Sequence, residues 1–188
     1  MLSTVVLLVS PALSATYAID PGHTRVGFGI THMMVSTVRG EFGTVSGTVE
    51  YDAANVGATK INAEVSVTTI DTRDAKRDDH LRSPDFFDAA KFPTIKYASK
   101  AVKNVTPTGF DIVGDLSLHG ITKEVVLHVD TISKEYKDPW GNIKAGTHAV
   151  GTLNRKDFGI VYNSALDGGG FILGDEVKIE LDVEMTRK

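Results

Sequence analysis

Glu176-Val177-Lys178-Ile179-Glu180-Leu181-Asp182-Val183-Glu184-Met185 alternates charged and apolar residues without a break. A period of two puts every apolar side chain on one face of an extended strand and every charge on the other. The stretch therefore reads as an antiparallel strand with one dry and one wet face. The same pattern recurs upstream. Val26, Phe28 and Ile30 share a face. Ile61, Ala63, Val65 and Val67 oppose Lys60, Asn62, Glu64 and Ser66. Phe110, Ile112, Gly114, Leu116 and Leu118 form a third row, and Val125, Leu127 and Val129 a fourth. Shorter candidates lie at 16–20, 38–51, 94–103 and 146–156. Gly40, Gly43 and Gly47 within 38–51 mark a bulge or sharp bend. His119-Gly120 reads as a two-residue hairpin loop, and Pro139-Trp140-Gly141-Asn142 as another turn.

One segment breaks the alternation. Asp71-Thr72-Arg73-Asp74 offers N-cap residues, and Ala75 to Arg82 lacks β-branched side chains, so a helix is expected there. Ser83-Pro84-Asp85 reads as a second helix start, ended by Pro93. Tyr162 to Asp167 is a short helix or loop before Gly168-Gly169-Gly170. Many antiparallel strands and few helices argue for an all-β class, a closed barrel or a sandwich. Periodicity alone stops at a β-barrel of about eight strands with a short helical cover, whose interior can hold one ligand.

The 188 residues fit one domain. No cysteine is present, which excludes a disulfide framework and thiolate chemistry. The net charge of −4 and the absence of a basic run argue against a nucleic-acid partner. The longest apolar run, Val5 to Val9, is too short to span a bilayer. It leads to Ala12-Leu13-Ser14-Ala15, small residues that suit a signal peptidase, although no basic residue precedes Arg25. Residues 1–15 are expected to be an export signal and 16–188 the mature domain, periplasmic or secreted.

Catalytic constellations are weak. Asp78, Asp79 and His80 are consecutive, and neighbours on a helix point about 100° apart, so they do not converge on one ion. They read as a solvated helix face near Lys76 and Arg82. His23, His32, His80, His119, His128 and His148 are scattered, with His32 the best single metal candidate. No Gly-x-Ser-x-Gly motif occurs, and a strand, not a helix, follows the glycines at 168–174. No catalytic residue, metal or cofactor is expected. Gly114 and Ala63 sit on inward rows and leave space there, which favours a hollow interior.

Several motifs, in order, resemble one family. Tyr17-Ala18-Ile19-Asp20-Pro21-Gly22-His23-Thr24 is followed by Val26-x-Phe28 and His32, then Arg39-Gly40-x-Phe42 and Gly47. The most specific is Arg77-Asp78-x-His80-Leu81-Arg82-Ser83-x-Asp85-Phe86-Phe87-Asp88 with Phe92-Pro93. Gly114-Asp115-Leu116-x-Leu118-His119-Gly120-x-Thr122, Arg155-x-Asp157-Phe158-Gly159 and Gly174-Asp175-x-Val177 complete the set. The chain resembles the YceI-like family of polyisoprenoid-binding, lipocalin-like periplasmic proteins. The Gly-x-Trp motif of true lipocalins is absent, since Trp140 precedes Gly141 in a turn.

The resemblance implies an extended antiparallel lipocalin-like β-barrel with an apolar tunnel for an amphiphile: a polyprenyl phosphate, an isoprenoid quinone or a fatty-acid derivative. Expected tail contacts are Phe28, Phe42, Val65, Val67, Phe86, Phe87, Ile112, Leu116, Ile179 and Leu181. Expected headgroup contacts are His32, Arg39 and Arg155. A ten-residue strand spans only ~34 Å, so a long prenyl chain folds back or protrudes. A homodimer is a candidate assembly. Two other readings stay open: a metal-dependent or hydrolytic enzyme acting on bound lipid, and a structural partner of a membrane redox protein with a barrel filled by side chains.

Overall fold

The computed structural model describes residues 14–188, and its strands are organised around the last one. The strands are β1 (Ala15–Ile19), β2 (Arg25–His32), β3 (Ser36–Phe42), β4 (Val45–Tyr51), β5 (Lys60–Ser66) and β6 (Ile70–Asp71), then β7 (Thr94–Thr106), β8 (Gly109–Leu118), β9 (Ile121–Asp130), β10 (Tyr136–Lys137), β11 (Ile143–Asn154) and β12 (Leu173–Arg187). The single α-helix among the described residues, α1, spans Ala75–Arg82.

β12 pairs with β11 along one edge, from Asn154↔Glu176 to Lys144↔Thr186. Along its other edge it pairs with β2 near its start and with β1 near its end. β1 and β2 are thus one strand interrupted at 20–24. β3 and β4 form a second interrupted strand, bent at Gly43-Thr44, with β3 on β2 and β4 on β1. The expected bend in 38–51 is this one. β5 and β6 repeat the arrangement, on β4 and β3 respectively. With β7, β8, β9 and β11 the ring closes as an antiparallel barrel of eight strands. His119 and Gly120 turn β8 into β9, both at positive φ (52° and 75°), the geometry that matches strand twist in a two-residue hairpin.

β6 and β10 end the hydrogen-bonded order, and β6 leaves an open edge. The cover fills that gap. α1 has one large apolar side chain, Leu81, so it is held chiefly by polar stitches. Asp74 caps it, accepting from the Lys76 and Arg77 amides at 3.1 Å. Asp78 is buried, not solvated as expected, because its carboxylate accepts from the Thr72 amide (2.9 Å) and hydroxyl (2.6 Å). Asp79 pairs with Arg82 at 2.9 Å, as the solvated reading expected. Arg82 Nη1 donates to Ile70 O at 3.2 Å, which protects the exposed carbonyl edge of β6.

The second helix expected from Ser83 does not form. The Ser83 hydroxyl donates to His80 O and accepts from the Asp85 amide, but the chain then turns back on α1. The Phe87 and Ala89 amides donate to Leu81 O and Arg82 O, and Asp88 is left-handed at φ 45°. These backward bonds replace helical ones and swing Phe86 and Phe87 inward. Phe92 instead packs against His119, with ring centroids 4.9 Å apart. The expected export segment, 1–15, lies outside the described residues except for Ser14 and Ala15, and Ala15 pairs with Tyr51 in the barrel.

Candidate functional site

The inward rows enclose a cavity of about 460 Å³. That lies within the roughly 300–1,000 Å³ usual for small-molecule sites. Val177, Ile179, Leu181 and Val183 of β12 line it, with Val26, Phe28 and Ile30 of β2. These seven side chains face inward yet are only half-buried. In a packed core such residues touch neighbours on all sides. Here their remaining surface faces the void. Across the barrel Phe110, Ile112 and Leu116 of β8 and Val125, Leu127 and Val129 of β9 also line it but are buried.

Nine of the ten residues expected to contact the tail line the cavity: Phe28, Phe42, Val65, Phe86, Phe87, Ile112, Leu116, Ile179 and Leu181. Val67 does not. The chain leaves β5 at Ser66 for a 3-10 turn over Val67–Thr69, and the Val67 amide donates to Pro93 O. The turn rotates Val67 off the inward row into a packed spot where it is 1% exposed. Ala63 lines the cavity as expected, but Gly114 leaves no space. A Cβ there would lie 2.5 Å from the Tyr97 ring, which already fills the gap. The Tyr97 hydroxyl sits 3.1 Å from Ile112 O and 3.3 Å from Val125 O, and burial pushes its pKa well above the usual phenol value.

Of the expected headgroup residues, His32 lines the cavity at the end of β2. Arg39 is exposed and outside the lining, opposite Gly29 on the outer face of β3. Arg155 borders the cavity, but its donors are already engaged. Nε donates to Gly174 O at 2.8 Å, and Nη1 to Ile160 O and Tyr162 O at 2.8 Å each. Nη2 reaches Asp175 at 3.3 Å. The side chain therefore ties the 159–172 loop and the start of β12 to the end of β11. Burial lowers its pKa from the usual guanidinium value.

Sequence reasoning missed Thr147 and Ala149, which line the cavity opposite Val183 and Leu181. A row of small residues, Ala145, Thr147 and Ala149, was the available signal. It also missed Tyr162, whose loop carries no periodicity. Among the described residues, His80 and Tyr162 are the only lining residues that are also exposed, which places the mouth between α1 and the 159–172 loop. Their rings meet edge-on at 5.0 Å, and Phe86 lies 4.9 Å from each. His80 is oriented by Asp85, 3.0 Å from Nε2.

The opposite end is polar and tied shut. Among the described residues, Asp20, His23 and Glu184 bring possible metal-ligand atoms together. Lys144 already serves that cluster, bonding to Asp20 and lying 3.1 Å from Glu184. The Lys144 hydrogen bond holds the Asp20 carboxyl down at about 2.

With this geometry the chain can be set beside known proteins. The YceI-like domain matches residues 17–185. The chain belongs to the YceI-like family. A UPF0312 protein of Pseudomonas savastanoi pv. phaseolicola is 43% identical over 161 residues, covering 85% of this chain and 83% of that one. Among solved structures, Burkholderia cenocepacia BcnA superposes with a TM-score of 0.77 at 21% identity, covering 88% of this chain and 98% of that one. A polyisoprenoid-binding domain from Saccharophagus degradans superposes with a TM-score of 0.64 at 13% identity, covering 94% and 100%. These two likenesses establish the shared barrel of the YceI-like fold.

Proposed function

We propose that this YceI-like protein binds one amphipathic lipid in its barrel, an isoprenoid by preference, and sequesters or carries it. The observation that carries the reading is the inward apolar face of β2 and β12, which is half-buried only because a cavity lies in front of it. A burial of about 0.8 kcal/mol per methylene makes such a wall a strong partner for a hydrocarbon chain. A barrel filled by side chains, as a purely structural partner would have, does not fit this cavity. The description of the S. degradans domain as polyisoprenoid-binding supports the choice of tail.

The headgroup sits at the mouth, near His32, His80 and Tyr162. Both lining arginines direct donors to the protein itself: Arg155 to three backbone carbonyls, and Arg77 to Thr72 at 2.6 and 2.7 Å. This favours a neutral head, such as a quinone or alcohol, over a polyprenyl phosphate or a fatty carboxylate. The pattern of residues 1–15 supports a periplasmic or secreted setting, which N-terminal sequencing of the exported protein checks.

Native mass spectrometry of purified protein, followed by loading with a prenyl quinone or prenyl alcohol, tests the reading. A one-to-one complex is expected. Ala63→Trp, which fills the cavity from β5, is expected to weaken loading by about tenfold or more while leaving the fold intact. Protein that carries no lipid and takes up neither prenyl nor fatty ligands would sink the reading.

A further inference from the structure

The mouth end exposes apolar side chains that neither fold nor cavity requires. Met34, Val35, Val161 and Phe171 are 71%, 84%, 63% and 59% exposed. Met33 and Tyr162 adjoin them. Two loops hold this rim together. The Met33 amide donates to Ile172 O at 2.7 Å, so the β2–β3 hairpin tip is tied to the 159–172 loop. Within that loop, Ala165 and Phe171 bridge, and the Leu166 amide donates to Gly170 O.

Three properties of the rim set it apart from scattered surface apolar residues. It is continuous with the cavity, because His32, Tyr162 and Ile172 line the cavity and neighbour the rim residues in both loops. It is nearly uncharged: segments 30–38 and 159–173 contain no Lys, Arg or Glu and one Asp, Asp167. And Met33 and Met34 both stand at positive φ, 50° and 60°, a region that L side chains rarely adopt. A hairpin tip of this shape ordinarily takes Asn or Gly. Here strained backbone carries two methionines, flexible side chains suited to irregular apolar surroundings.

We propose that this rim docks on a lipid bilayer, inserting Met34, Val35 and Phe171 at the headgroup–acyl boundary with the cavity mouth facing the membrane. The choice of a bilayer rests on the reading of the cavity as a lipid site. A membrane is the apolar partner whose own molecules suit what lies behind the mouth, so a tail passes from one apolar phase to the other without crossing water. A second copy seated on the rim would instead seal both mouths. With no basic side chain in either loop, docking draws on apolar insertion and not on attraction to anionic lipids.

The test is flotation of the full chain with phosphatidylcholine vesicles, beside the double variant Met34→Ser/Phe171→Ser. We expect wild type to float, and the variant to lose about tenfold in partitioning with unchanged thermal unfolding. Adding phosphatidylglycerol or raising the salt should change wild-type flotation by less than about twofold. A parallel arm loads each protein with a prenyl alcohol from detergent micelles. Equal loading by variant and wild type, with flotation lost only in the variant, supports the proposal. Wild type that loads from micelles but does not float overturns docking and leaves the lipid site standing. Wild type that floats but never loads overturns the lipid site and keeps the docking surface. Docking also falls if the variant floats equally, if only anionic vesicles bind, or if the rim instead mediates self-association that the variant abolishes.

Discussion

The two ends of the barrel are built from opposite chemistry. At one end Asp20, in the break between β1 and β2, meets Lys144 of β11 and Glu184 of β12. Tyr17 of β1 donates to Glu135 at 2.6 Å, and Arg187 of β12 pairs with the same carboxylate. These bonds clamp three strands and the segment before β10 together, with Ile132 and Met185 buried beneath. At the other end loops with exposed apolar tips surround the cavity. The closed end is held by partners that bridge strands. The mouth is held by one buried arginine and a cluster of rings.

The largest expected effect follows from that arginine. Arg155→Ala leaves Gly174 O, Ile160 O and Tyr162 O without their donor, and should cost about 3–5 kcal/mol in urea unfolding. Arg155→Lys should recover little of this, since one ammonium cannot reproduce the planar fork. If the loss were small, the mouth would not depend on a single anchor.

A smaller effect is expected at the closed end. Asp20→Asn should cost about 1 kcal/mol near pH 7, because the pair is partly exposed and screened. The Asp20 pKa is lowered from 3.8 to about 2 in the folded protein. Its contribution is therefore complete above the unfolded value and fades as pH falls toward 2. Urea midpoints of wild type and variant should converge across that window. A gap that persisted at pH 2 would assign the stability to packing instead.

The smallest effect is expected at the rim. Met34→Ser or Phe171→Ser should shift stability by less than about 0.5 kcal/mol, since exposed side chains lose little on truncation. His80→Ala should likewise leave unfolding nearly unchanged, while the opened ring cluster speeds release of a bound lipid in stopped-flow displacement. A stability loss at the rim comparable to that at Asp20 would erase the contrast between the two ends.

Much of this was legible in the residues. The inward rows of β2, β8, β9 and β12 follow from alternation alone, because a one-residue slip would expose every apolar side chain. The N-terminus of α1 follows from Asp74, and the β8–β9 turn from His119-Gly120. What misled were residues whose role depends on distant partners. Val67 continues its row in sequence, but Pro93 draws its backbone into a turn. Gly114 promises space that Tyr97, from the neighbouring strand, occupies. Ser83-Pro84 has the form of a helix start, but the following amides find acceptors on α1. Arg155 has the chemistry of an anion ligand, but carbonyls of the 159–172 loop and of β12 take its donors.

The sequence by itself determined the antiparallel strands, their inward faces, the capped helix and the absence of thiol chemistry. These depend on residue type and spacing within a few positions, where period and capping act. Only the tertiary structure decided that the barrel is hollow, which end opens, and which polar groups remain available there. Those outcomes depend on side chains brought together from across the chain: Tyr97 into the gap at Gly114, Arg155 onto Gly174, Tyr162 onto His80 and Phe86. No local pattern encodes such meetings, because a void is defined by what its neighbours leave unfilled.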